Sequence, residues 1–209
     1  LSRLGAHSAY ITSVGNDKLS KKMISFLNSE NVFTNNIYIS KNRSLGLYLI
    51  NNEKNGEKNF FYWREHSAAK TYFENINLNL LIKKTSDYNA VYFTGITLSI
   101  YNHKNINLFY KFLCSLKKKG IVICFDFNVR LKNWKDKKIA RKQILRFLKI
   151  SNIIFLTQED LNDLGIKKYK KFIFDNFNNK LAIIRSSNGN ISVYNEQNFS
   201  NFNFTFKKK

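Results

Sequence analysis

Four stretches place side chains where they could grip a small anion. The first is Asn59–Glu65, "NFFYWRE". Side chains alternate along a strand, so Phe60, Tyr62 and Arg64 share one face while Phe61, Trp63 and Glu65 share the other. With the right register, Tyr48 of a partner strand joins the Tyr62/Arg64 face. Two phenols and a guanidinium suit a small hydroxylated anion, because Arg meets a carboxylate bidentately and Tyr adds a hydrogen bond from a rigid ring. The same pattern also suits an amphipathic hairpin whose aromatics simply pack. The second stretch is Cys124–Trp134, "CFDFNVRLKNW". An apolar strand ends there in Asp126, Asn128 and Arg130. Strand ends are where open α/β sheets bind ligands, and this trio suits a phosphate and its metal; a solvated loop with a surface ion pair is the other reading. The third is Phe155–Gly165, "FLTQEDLNDLG", where Gln158, Glu159 and Asp160 open a short helix. Carboxylates there either cap the helix or reach Mg2+ through water. The fourth, "IIRSSNGNISVY" (Ile183–Tyr194), is a strand, a turn and a strand, with Arg185 toward the same face of the sheet.

The elements that must position these groups are visible in the hydrophobic pattern. Ala9–Val14, Ala90–Ile96, Ile121–Phe125, Asn152–Leu156 and Leu181–Ile184 read as buried strands. Helices are expected over Lys18–Asn28, with Leu19, Met23, Phe26 and Leu27 on one face and Asp17 as N-cap; over Asn105–Lys119, stopped by Gly120; over Lys137–Leu148; and over Glu159–Leu164. Strands alternating with helices imply βαβ units and a mostly parallel sheet. Ser44–Asn51 and Asn59–Arg64 break the rhythm. They are strand-like, have no helix between them, and carry a turn signal at Asn55–Gly56, which gives a β-hairpin inserted as a lid. One α/β domain over residues 1–209 with a lid at about 44–64 is expected.

Composition bounds the function classes. The 209 residues suffice for one α/β domain. No apolar run approaches the roughly 20 residues of a membrane span, and no secretory leader is visible in "LSRLGAHSAY". Cys114 and Cys124 sit in apolar runs and read as buried thiols, consistent with a reducing, cytoplasmic setting. The three histidines, His7, His66 and His103, lack metal-ligand spacing, and no Ser-His-Asp or Cys-His set is present. The net charge of +21 points toward polyanions. However, the lysines look scattered, with short runs at Lys117–Lys119, Lys167–Lys171 and Lys207–Lys209. Abundant Lys, Asn, Ile, Phe and Tyr suggest compositional drift instead, and a nucleic-acid partner is not expected.

Taken in order, "LSRLGAHSAYITSVGNDKLSKKM", "LGLYLI", "GEKNFFYWREHSAA", "VYFTGITLSI", "FDFNVRLKNW" and "IIRSSNGNISVY" resemble the ribokinase-like (PfkB) carbohydrate kinases. The stretch "YWREHSAA" resembles the sugar-acid branch, the 2-dehydro-3-deoxygluconokinases. The resemblance implies a ribokinase-like fold and ATP- and Mg2+-dependent phosphorylation of a sugar acid's terminal hydroxyl. It implies that Tyr48, Tyr62 and Arg64 hold the substrate from the lid and that Ile96 lines the sugar pocket. It further implies Asn128 and Arg130 near the transferred phosphate and the sugar, Arg185, Ser187 and Gly189 on the nucleotide side, and Asp160 organising metal and water. Arg185 stands where the family usually has Lys, and Phe127 where Pro is common.

The family's "GAGD" stretch, whose Asp is the general base and whose amides cradle phosphate, does not occur in these residues; the sequence runs to "FSNFNFTFKKK". No other Asp matches that role, so no catalytic residue is assigned and the 209-residue chain is expected to turn over little or not at all. A fructokinase-like specificity and a degraded, non-catalytic remnant are the alternatives. A homo-oligomer built through the lid is a further expectation.

Overall fold

The computed structural model describes residues 1–53, 56, 58–177, 180–186, 190–195 and 198–202. The chain divides into two compact units, Leu1–Leu81 with Asn102–Asn105, and Ile82–Tyr101 with Ile106–Lys209.

The first unit begins with β1 (Ser8–Ala9) and β2 (Thr12–Gly15). The expected single strand over Ala9–Val14 is therefore two. The reason is pairing: β1 runs parallel to β3 (Val32–Phe33), and β2 runs parallel to β4 (Ile37–Ser40) in a separate sheet. Between them α1 covers Lys18–Ser29, started by Asp17, whose carboxylate accepts from the Ser20 N–H. Met23 and Leu27 are half-buried, while Leu19 and Phe26 of the same expected face are exposed. The hairpin follows as β5 (Leu47–Asn52) and β6 (Lys58–Trp63), antiparallel with Tyr48 opposite Tyr62. A 3-10 helix, Ala68–Glu74, contributes Ala68, Tyr72 and Phe73 to the core. Burial drives the Tyr72 hydroxyl far above the usual phenol range, and it donates to the Asn36 carbonyl at 3.0 Å.

A helix absent from the expectations, α2 (Leu78–Thr85), leads into the second unit. That unit contains β7 (Ala90–Thr94), α3 (Gly95–Ile100), most of α4 (His103–Lys118), β8 (Val122–Asp126), α5 (Lys137–Ile150), β9 (Ile153–Thr157), α6 (Gln158–Asp163), α7 (Tyr169–Asn176), β10 (Leu181–Arg185), β11 (Ile191–Asn195) and β12 (Asn198–Phe202). Its six-stranded sheet has the order β12-β11-β10-β9-β8-β7. β7 to β10 are parallel, and β11 and β12 return antiparallel, as a mostly parallel α/β sheet requires.

Burial alternates along the strands. Phe93, Ile123, Phe125, Ile154, Leu156, Ala182 and Ile184 are buried, while their neighbours are half-buried or exposed. Rings from α4 and α5 close over the buried face: Phe93 stacks on Phe125 at 4.6 Å and meets Phe109 and Phe147 edge-on at 5.1 and 5.7 Å. Among the described residues no helix is long and apolar enough to cross a membrane.

Candidate functional site

The hairpin presents its expected face. Tyr48, Phe60 and Tyr62 form a triangle of rings 6.2 to 6.3 Å apart, with Phe60 and Tyr62 nearly parallel at 12°. Arg64 lies just past β6 and lays its guanidinium over Tyr62, 4.2 Å from the ring centroid. Such cation–π stacking contributes about 0.5–1 kcal/mol at exposed sites. A guanidinium is also the side-chain group that meets a carboxylate bidentately.

Arg64 is held at the root of the hairpin. Its carbonyl accepts from the Ser67 N–H at 3.1 Å, and the Ala68 N–H donates to the Ser44 carbonyl at 2.9 Å. Gly46 makes room for it, since a Cβ there would lie 3.2 Å from the Arg64 Cβ. Tyr48 and Tyr62 are 61% and 41% exposed. On the reverse face Leu47, Leu49, Phe61 and Trp63 are also exposed.

In the second unit the remaining described candidates gather at the carboxyl ends of β7 to β10. Thr94 registers with Asp126, and Thr157 with Arg185. Ile96 is not a strand end as expected but lies in the first turn of α3. The cause is Gly95: a Cβ there would sit 2.1 Å from the Phe127 carbonyl oxygen, so only glycine lets the helix start this close to the end of β8.

Beyond Asp126 the chain is not an extended fan. Asn128 adopts a φ of +34°, a left-handed conformation that Asn tolerates better than most residues. Arg130 is exposed and folds its Nη1 back onto the Val129 carbonyl at 3.0 Å.

Asp160 caps its helix, the first of the two readings of this stretch. It is 4% exposed and completes a reciprocal capping box with Thr157. One carboxylate oxygen accepts from the Thr157 N–H and hydroxyl, both at 2.8 Å. The other accepts from the Val129 N–H at 2.6 Å, tying the loop after β8 to the start of α6.

Asp126 sits beside this tie. Burial raises its carboxyl above the ordinary aspartate range and the Asp160 charge adds to the rise, opposed by hydrogen bonds from Tyr92 and the Asn128 N–H and by Arg130. Sequence reasoning missed Tyr92. Its hydroxyl donates to Asp126 at 2.8 Å, and burial together with that carboxylate lifts the phenol to about 12. The signal existed: Tyr92 registers with Cys124, so Asp126 is its diagonal neighbour on the same face.

Arg185 ends β10, exposed, and the Ser186 hydroxyl and N–H both donate to the Asn190 carbonyl, closing the turn to β11. Ser187 and Gly189 lie outside the described residues, as does part of the Asn55–Gly56 turn. Among the described residues no group of three or more His, Cys, Asp or Glu is arranged to hold a metal.

Residues 1–193 match the pfkB family carbohydrate kinase pattern. The 2-dehydro-3-deoxygluconokinase of Haemophilus influenzae is 32% identical over 151 residues, covering 72% of this chain and 48% of that protein. Fructokinase-2 of Oryza sativa is 27% identical over 172 residues, covering 78% of the chain and 49% of that protein. The chain thus spans about half the length of the curated relatives it matches. The crystal structure of 2-dehydro-3-deoxygluconokinase from Thermotoga maritima superposes with a TM-score of 0.81 at 20% identity, over 96% of this chain and 66% of that one, which establishes the shared fold. With the family pattern running from residue 1 to 193 and this fold beneath it, the chain belongs to the pfkB family of carbohydrate kinases.

Proposed function

We propose that the protein carrying these residues transfers the γ-phosphoryl group of ATP, with Mg2+, to the terminal hydroxyl of a sugar acid, 2-dehydro-3-deoxygluconate. The observation that carries this reading is the guanidinium of Arg64 stacked on Tyr62, with Tyr48 in the same ring cluster. A carboxylate gains more from such a cation than a neutral sugar does, because its hydrogen bonds to the guanidinium are charge-assisted and bidentate. Tyr48, Tyr62 and Arg64 grip the acid, and Ile96 lines the sugar. Asn128 and Arg130 meet the phosphoryl group, with Arg130 also near the sugar, and Arg185 with Ser187 and Gly189 serves the nucleotide.

Phosphoryl transfer of this kind rests on positioning and charge neutralisation. Asp126, whose ionisation is made costlier by burial and then by the Asp160 charge, favours a divalent cation arriving with the nucleotide. Asp160 reaches that cation through water, because both of its oxygens already accept hydrogen bonds. The exposed reverse face of the hairpin, Leu47, Leu49, Phe61 and Trp63, meets its counterpart in a second copy, and the protein works in the cytoplasm.

Calorimetric titration of the chain with 2-dehydro-3-deoxygluconate and with fructose tests the substrate class. At least tenfold tighter binding of the sugar acid is expected. Tighter binding of fructose would replace the reading with a fructokinase, for which the 27% identity to the rice enzyme is the supporting observation.

A further inference from the structure

The lysines that look scattered along the sequence converge in the second unit. Between residues 132 and 142 stand Lys132, Lys135, Lys137, Lys138, Arg141 and Lys142, with Asp136 the single acid. A second run, Lys167, Lys168, Lys170 and Lys171, begins 25 residues later. The fold lays one against the start of the other. Arg141 donates from Nη1 to the Leu164 carbonyl at 3.2 Å. The position a Cβ would take on Gly165 lies 3.5 Å from Lys137 Cε and 3.7 Å from its Nζ.

Ile166, the next residue, is buried and anchors the segment, while Lys167, Lys168, Lys170 and Lys171 are exposed. On α5, Lys137 and Arg141 form one i,i+4 row and Lys138 and Lys142 another, with neighbours about 5–6 Å apart. All four are exposed, while Ala140, Ile144, Phe147 and Leu148 of the same helix are buried.

The acids facing this surface are Asp136, Asp163 and Glu159 on the adjoining turns and Asp175 on α7. Asp136 spends its carboxylate capping α5, accepting from the Lys138 N–H. Ten cations and four acids thus stand on segments that meet where Gly165 packs against Lys137 and Arg141.

We infer that this face, built from residues 132–142 and 167–171, binds the phosphate backbone of a nucleic acid. A regular polyanion is the partner that satisfies many lysines on flexible stems at once, and clustering of this kind in a chain of pI about 9.9 is the electrostatic footprint of such binding. A membrane surface fits less well. Among the described residues of α5 and α7, Ile139 and Phe174 are the exposed apolar side chains, too few to seat an amphipathic helix in a bilayer. The binding is independent of the sequence of the nucleic acid, with a Kd of about 10⁻⁴–10⁻⁶ M near physiological salt.

The test compares two triple variants of equal net charge, using fluorescence anisotropy of a labelled RNA of roughly 20 nucleotides. Lys138→Gln, Lys142→Gln, Lys167→Gln removes charge from the face. Lys111→Gln, Lys118→Gln, Lys119→Gln removes it from exposed positions on and just past α4. The face variant is expected to bind at least tenfold more weakly, with a log–log salt slope shallower by about 2, from roughly 0.7 per lost contact on a single strand. The α4 variant should stay within about twofold to threefold of the parent. Equal losses in the two variants would show a bulk-charge effect and overturn the inference. So would no binding by the parent near 150 mM salt, or retention on phosphatidylserine vesicles without retention of RNA. Circular dichroism of both variants separates loss of binding from loss of fold.

Discussion

Replacing Asp160 with alanine removes a group that joins the end of β8 to the start of α6. Its carboxylate accepts three hydrogen bonds, from the Val129 N–H and from the Thr157 N–H and hydroxyl. Loss of the cap costs about 1 kcal/mol. The Val129 N–H contributes more, because Val129 is 1% exposed and water cannot replace the lost acceptor; an orphaned buried donor costs about 1–3 kcal/mol. Together the change should destabilise the protein by about 3 kcal/mol, or about 6–12 °C in Tm at the 2–4 °C per kcal/mol typical of this size. Urea unfolding followed by tryptophan fluorescence measures this, with Trp134 close to the affected loop. Thr157→Val, which touches only the cap side of the network, should cost about 1 kcal/mol. A loss below about 1 kcal/mol for Asp160→Ala, or equal losses for the two variants, would refute the claim that this carboxylate holds the loop bearing Asn128 and Arg130.

Three further outcomes follow from the same geometry. Gly95→Ala drives a Cβ to within 2.1 Å of the Phe127 carbonyl oxygen, a backbone atom that cannot rotate away, so a loss of about 1–3 kcal/mol is expected; an unchanged Tm would mean that α3 does not approach β8 this closely. Asp126 carries a raised carboxyl, so the folded state holds a proton that the unfolded state releases at the ordinary value of about 3.9. Stability therefore falls as pH rises through the interval above that value. In Asp126→Asn this fall should vanish from the Tm–pH profile while nucleotide binding weakens, and parallel profiles for the two proteins would contradict it. Leu49→Lys with Trp63→Lys charges the reverse face of the hairpin and should shift a dimer to monomer in analytical ultracentrifugation without unfolding the chain; an unaltered sedimentation profile of a dimeric parent would exclude that face as the interface.

Much of this was legible from the residues. Period-two alternation and the Asn55–Gly56 turn signal mark the hairpin, and the face shared by Tyr48, Tyr62 and Arg64 follows from alternation plus register. Apolar runs ending in Asp126 and Thr157 locate the parallel strands. What stayed hidden depended on contacts distant in sequence. Ala9–Val14 reads as one strand, because nothing local shows that its halves pair with different partners. Ile96 reads as strand, because the helix start depends on how closely Gly95 meets Phe127, 32 residues away. Asp160 announces its capping box locally, but not its bond to Val129, 31 residues back. The basic runs look scattered because their meeting is set by the packing of Gly165 against α5. α7 was missed because its eight residues carry their apolar side chains as one consecutive run, Phe172, Ile173 and Phe174, which shows no helical period.

The central claim is that the hairpin selects a carboxylate, and Arg64→Ala tests it most directly. Binding of 2-dehydro-3-deoxygluconate and of fructose is measured by calorimetry for the parent and the variant. A charged, bidentate partner is worth about 2–3 kcal/mol, so the variant should lose roughly 30- to 150-fold in affinity for the sugar acid and less than about threefold for fructose. Equal losses for the two sugars, or an unchanged affinity for the acid, would contradict the account.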